Sequence, residues 1–138
     1  MNSNVSWKNA MEKLYETGIS PDGTYLYARS FQLPYTAELA QMLAEELVPL
    51  GEKLDVLGCL IDIRGTTSVS SVVDKYEFAY KKTGVVGLPH HWKYAFLKDH
   101  GDTSLEFIEL VMQNAFYKFQ VFEEEREAID WLKGAQFS

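Results

Sequence analysis

The residues best equipped for chemistry lie in one stretch, Asp62-Ile63-Arg64-Gly65 followed by Thr66, Thr67, Ser68, Ser70 and Ser71. A carboxylate and a guanidinium here lead into five hydroxyls. Such a cluster could accept a phosphoryl group, bind an anion on backbone N–H donors, or cap a helix. His90, His91 and His100, with Asp99 and Asp102, form a second group whose types could ligate a metal. Adjacent histidines in an extended chain point opposite ways, and no second ligand pair follows at helical spacing, so no metal site is expected. Cys59 is the one cysteine and lies in an apolar run, which reads as a small buried hydrophobe in a reducing compartment. No Gly-x-Ser-x-Gly elbow ties a serine to a base, and no glycine loop with a following lysine cradles phosphates. No cofactor is expected.

The chain has 138 residues, 46% hydrophobic and 24% charged, which suits a single globular domain over residues 1–138. Its 13 basic and 20 acidic residues leave a net charge of −7, which repels nucleic acid and anionic lipid. No run of about 18 apolar residues could span a membrane, and the first residues lack the basic start and apolar core of a signal peptide, so a cytoplasmic protein is expected.

The elements that must position the cluster follow from periodicity. Trp7 to Gly18 fits a strand or a short helix. Ser20-Pro21-Asp22-Gly23 is a turn and Thr24 to Leu33 a β-rich run, so the sheet opens with a hairpin. Pro34 ends that run, Thr36 is placed to cap a helix, and Leu39, Leu43 and Leu47 make an apolar stripe at helical spacing. Beyond Pro49 and Gly51, Leu57 to Ile63 is short and almost continuously apolar, the pattern of a central strand covered on both faces. A second helix is expected from Ser70 or Ser71 to Lys82, then a strand over Trp92 to Leu97. Thr103 and Glu106 have capping-box spacing before a third helix, Tyr117 to Phe122 is the last strand, and Glu123 to Lys133 the last helix, stopped by Gly134. Alternation of this kind predicts one α/β domain with a mixed, mostly parallel sheet opened by an antiparallel hairpin and about four helices.

Two stretches, Tyr117 to Leu132 with its phenylalanine, acids, alanine and Trp-Leu, and Asp62-Ile63-Arg64-Gly65, resemble the closing and central parts of the SpoIIAA-like family. The resemblance covers roughly residues 25–132. It implies a STAS-like fold, distantly similar to CRAL-TRIO lipid-binding domains. Against the STAS pattern, Asp62 falls on the strand aspartate, Gly65 on the loop glycine, Ser70 on a loop aspartate and Ser71 on the serine that is phosphorylated to release a partner. Ser70, Val72 and Val73 depart from that pattern, and helix capping accounts for Ser68, Ser70 and Ser71 without any phosphate.

The leading expectation is a non-enzymatic, bacterial, cytoplasmic regulatory module that binds a protein partner, with a homodimer as one form. Its working edge would comprise Arg64, Gly65, Thr66, Thr67, Ser68, Ser70, Ser71, Asp99 and Thr103, because ligands of open α/β sheets bind at the carboxyl ends of strands. The alternative is a carrier of a small apolar or lipid-like ligand, held by Tyr76, Tyr80, Trp92 and Tyr94, although a stripe such as Trp92, Tyr94 and Phe96 is more simply core. A third reading is an enzyme using Asp62, Arg64, Asp99 and His100.

Overall fold

The computed structural model describes residues 15–30, 37–65 and 88–134. Strands β1 (Tyr15–Ile19) and β2 (Leu26–Ser30) lead to helix α1 (Ala37–Leu54) and strand β3 (Gly58–Asp62). Strand β4 (Lys93–Leu97), helix α2 (Glu106–Asn114), strand β5 (Lys118–Phe122) and helix α3 (Glu125–Leu132) complete the described part. The five strands form one sheet in the order β1-β2-β3-β4-β5, with β1 antiparallel to β2 and every later pair parallel. The α/β class and the opening hairpin are thus as the sequence implies. The helix expected over residues 70–82 and the cap at Thr36 lie outside the described residues.

The opening turn forms for the reasons its residues suggest. Gly23 has φ +75° and donates its N–H to the Ser20 carbonyl at 2.9 Å, while the Ser20 hydroxyl accepts the Thr24 N–H at 3.0 Å. Asp22 on this turn meets Lys133 at 2.7 Å, fastening the hairpin to the end of α3. That hydrogen bond, joined by those from Thr24 and Ser20, holds the Asp22 carboxyl well below the usual carboxylate range. Of the ambiguous first segment, Tyr15 to Gly18 is strand, within β1, and Trp7 to Leu14 lies outside the described residues.

Helix α1 does not stop at Pro49 or Gly51 but runs on to Leu54. Proline cannot donate to the carbonyl four residues back, yet Pro49 and Glu45 are both exposed, so water can serve that carbonyl. The helix ends instead at Asp55, where φ is +59° and the Val56 N–H returns to the Gly51 carbonyl at 2.9 Å. Gly51 is needed for a different reason from chain reversal: a Cβ there would stand 2.2 Å from the Trp92 ring. The capping box expected at Thr103 and Glu106 is a correction. No side chain caps α2, whose first turn begins at the fully buried Leu105, and the turn before it is set by Asp102, which accepts the Ser104 N–H at 2.8 Å. Asp102 competes successfully because its carboxylate reaches a backbone donor two residues on.

Successive strand residues face opposite ways, which divides the core in two. On one face Cys59, Ile61, Tyr94, Phe96 and Phe119 pack with Leu43 and Leu47 of α1 and Ile108 and Met112 of α2. On the other, Leu60, Ala95 and Leu97 receive Ala128 of α3, with Trp131 and Leu132 at the margin. Trp131 is tied down by Lys93, whose ammonium donates to the Trp131 carbonyl at 2.8 Å and stands 5.5 Å from its ring centre. Right-handed crossovers along a sheet built in sequence order place α1 and α2 on the same side, and α3, which follows the last strand, is free to cover the other. Gly134 ends α3 with φ +69°.

Two substitutions test this packing. Ile61→Ala should cost about 2–5 kcal/mol by leaving a cavity in a strand paired on both sides, measured by urea denaturation; a loss below about 1 kcal/mol would contradict the central placement. Helix propensity alone makes Gly51→Ala stabilising by about 1 kcal/mol. The Trp92 contact reverses the sign, and we expect a loss of about 1–3 kcal/mol; a gain in melting temperature would show that the ring is free to move away.

Candidate functional site

The carboxyl end of β3 delivers Asp62, an acid only 4% exposed at the last strand position. Burial works against its ionisation, but Arg64 more than compensates. Its Nε and Nη2 donate at 3.0 and 2.8 Å and its backbone N–H at 3.1 Å. Arg29, on the neighbouring strand in parallel register with Asp62, donates Nε at 3.1 Å. With the two guanidinium charges added, the carboxyl lies below its ordinary value, and the same contacts raise the Arg64 guanidinium further. Arg64 also reaches Glu125 in the first turn of α3 at 3.2 Å. One buried carboxylate therefore joins β2, β3 and, through Arg64, α3.

The next residue connects the two loops that sequence spacing put at this edge. The Gly65 N–H, with φ +80° at that residue, donates to Asp99 Oδ2 at 2.9 Å. Arg64, Gly65 and Asp99 are thus brought together, and Thr103 is exposed farther along the same loop. Thr66, Thr67, Ser68, Ser70 and Ser71 lie outside the described residues. The loop after β4 is stapled in turn by Glu123: its carboxylate accepts the Gly101 N–H at 3.1 Å and meets Lys98 at 3.3 Å and His100 at 3.2 Å. The Gly101 N–H, followed by Lys98, lowers the Glu123 pKa. Lys98 also donates to the Asp102 carbonyl.

Charge saturation decides what this arrangement can do chemically. Asp62 already accepts four N–H donors, so it is a poor candidate for a base. His100 turns away from Asp62 toward Glu123 and Glu124. The residues of the enzymatic reading therefore divide into two separate networks. Among the described residues no group of three or more His, Cys, Asp or Glu could hold a metal ion; His90 stacks on Tyr117 with ring centres 4.0 Å apart. Burial pushes the Cys59 thiol up to about 12, so it carries no thiolate at neutral pH.

Trp92 and Tyr94 are core side chains, 2% and 5% exposed, and the Tyr94 hydroxyl donates to the Pro89 carbonyl at 2.6 Å. Tyr76 and Tyr80 lie outside the described residues. Two open clefts flank the site instead. One of about 340 Å³ runs over β1 and β2 with Tyr25 and Tyr27 as its floor and Arg29, Asp62 and Glu125 at its end. The other, about 530 Å³, lies between α2 and α3 and is lined by Lys98 and a crowd of acids including Asp102, Glu106, Glu123 and Glu127.

Sequence reasoning missed Arg29, Glu123 and Glu125 as site residues. Arg29 is one arginine in a β-rich run, and only the pairing of β2 with β3 sets it against Asp62. The acids of 123–127 read as a solvated helix start, yet two of them hold Gly101 and Arg64.

The Asp62 network gives a pH test. Its folded pKa lies below the unfolded value of about 3.9, so its stabilisation is complete above that pH and is lost as pH falls through the lowered folded value. Asp62→Asn should cost about 1.5–3 kcal/mol at pH 7, with the gap to wild type narrowing in acid. A gap that stays constant down to about pH 2 would show that charge is not what Asp62 contributes.

No family model matches the chain, and no curated protein matches it. Among solved structures, the crystal structure of an anti-sigma factor antagonist from Mycobacterium paratuberculosis is similar, with a TM-score of 0.51 and 13% sequence identity, covering 86% of this chain and 94% of that one. At this identity the likeness is one of fold, and it agrees with the fold that residues 62–65 and 117–132 imply. The described architecture is that of a STAS-like, anti-sigma-antagonist fold.

Proposed function

We propose that this chain is a non-enzymatic regulatory module that binds a protein partner through the carboxyl edge of its sheet. The observation that carries the reading is the Gly65 to Asp99 hydrogen bond, at 2.9 Å, anchored behind by the saturated Asp62 carboxylate. It holds two strand-exit loops side by side, where open α/β sheets bind their ligands. A surface of that kind recognises; among the described residues its buried acid, Asp62, is already saturated by four N–H donors. The fold of the anti-sigma factor antagonist supports a partner of the same kind, an anti-sigma factor, and the buried, protonated Cys59 supports a reducing, cytoplasmic setting in a bacterium.

Within this reading Arg64, Gly65, Thr66, Thr67, Ser68, Ser70, Ser71, Asp99 and Thr103 form the recognition edge, and Ser71 is the position at which a phosphate would change partner binding. A phosphate adds about two negative charges to an edge already crowded by Asp99, Glu123 and Glu125, so a changed charge match with the partner and loss of binding are the expected consequence.

Tagged wild-type protein should capture an anti-sigma factor identifiable by mass spectrometry, and Glu52→Ala, on the far end of α1, should capture it equally. Asp99→Ala should reduce capture about tenfold by releasing the Gly65 loop, and Ser71→Asp should do so by its charge. Loss with Asp99→Ala alone would keep the edge and remove the phosphoserine switch. Equal capture by all four proteins would place the interface elsewhere.

A further inference from the structure

Among the described residues strand β5 ends the sheet, and such an edge offers unpaired backbone groups to any passing strand. The Phe122 carbonyl turns inward to accept the Lys98 N–H at 2.9 Å, so the alternate residues Phe119 and Val121 present their N–H and C=O groups outward. Two of these four groups are taken by side chains of α2. Glu109 accepts the Val121 N–H at 2.8 Å, and Gln113, one helical turn later, donates its amide to the Phe119 carbonyl at 2.7 Å. A carboxylate oxygen and an amide N–H thus occupy the positions that the C=O and N–H of a neighbouring strand would fill. Neither Phe119 N–H nor Val121 C=O has a side-chain partner among the described residues.

The pairing this arrangement imitates is specific. An antiparallel β5 of a second copy, related by a two-fold axis through Gln120, would set Phe119 opposite the partner's Val121. The partner's Phe119 carbonyl would then accept the Val121 N–H, and the partner's Val121 N–H would donate to the Phe119 carbonyl. Those are the two groups that Glu109 and Gln113 occupy. The charges fit the same register: Lys118 at one end of β5 would lie opposite the partner's Phe122 and on the diagonal toward the partner's Glu124, where the chain bends out of β5 with Glu124 itself at φ −116° and ψ 125°. A two-fold axis makes this contact twice.

We propose that β5 is a latent homodimer edge, held shut in the free chain by Glu109 and Gln113 standing in for the backbone of a second copy. The surface adjoins the carboxyl edge, where Glu124 also meets His100, but the groups that Glu109 and Gln113 cover, on Val121 and Phe119, take no part in those loops. Removal of both side chains leaves the four outward groups of Phe119 and Val121 to be satisfied by water or by another β5.

The test is sedimentation velocity over a concentration series, with circular dichroism to confirm folding. Glu109→Ala/Gln113→Ala should self-associate to a dimer at least about tenfold more tightly than wild type. Adding Lys118→Glu, which places like charges on the diagonal, should reverse most of that gain. A folded double variant that stays as monomeric as wild type would overturn the proposal, and so would a dimer indifferent to Lys118→Glu. Should the double variant fail to fold, amide exchange in Glu109→Ala decides the matter. Exchange at Val121 should rise about tenfold while that at Gln120, which faces β4, is unchanged; an unchanged Val121 would show that Glu109 does not close the edge.

Discussion

A buried carboxylate must be satisfied by charge and hydrogen bonds or it will not stay ionised, and at the end of β3 this requirement organises the surrounding structure. Asp62 draws Arg29 from β2 and Arg64 from its own strand exit, and Arg64 passes the link to Glu125 on α3. The two arginines remain partly exposed, with side-chain exposures of 44% and 38%, so the arrangement is a buried acid with wet partners and not a fully desolvated pair. Its structural consequence is directional. Arg64 cannot swing freely, which fixes the departure of the chain at Gly65 and lets that residue's N–H meet Asp99.

The rest of the fold provides the burial that Asp62 resists. Strand β3 is buried at every position because it pairs on both sides and is covered on both faces, by α1 and α2 on one and α3 on the other. Close approach does much of this. Gly51 admits the Trp92 ring to the surface of α1, and the small Ala95 and Ala128, both inaccessible, allow α3 to lie against β4. Larger side chains at these places would lift a helix from the sheet and open the acid to water.

Backbone polar groups in such a domain are left over where pairing ends. At the carboxyl edge, loops after β3 and β4 are joined to each other and braced by Glu123 and Glu125, which gives a fixed surface with few spare protons. At the β5 edge, two side chains of one helix complete the hydrogen bonding of the strand. The two borders are managed by the same chemistry, acidic side chains accepting backbone N–H groups, with opposite results: one presents loops and the other covers a strand.

Periodicity made most of the fold legible. The hairpin turn at Ser20 to Gly23, the central strand around Leu60 and Ile61, and the helix ended by Gly134 follow from local rules whose determinants are adjacent in sequence. The helix bounds around Pro49 and the capping of α2 did not, because each depends on whether a backbone group faces water or an unexpected partner, Asp102 in the second case. The candidate edge was half legible: Arg64, Gly65 and Asp99 could be placed together from strand order, since parallel strands leave their exits on one side. Arg29, Glu109, Gln113, Glu123 and Glu125 could not, since each acquires its meaning from a contact between residues 12 to 61 positions apart or, for Gln113, from a strand pairing that lies six residues on. Amino-acid types and spacing specify which segments can bury a face; only the packed sheet decides which charged side chain finds which buried polar group, because that choice is made by distance in space.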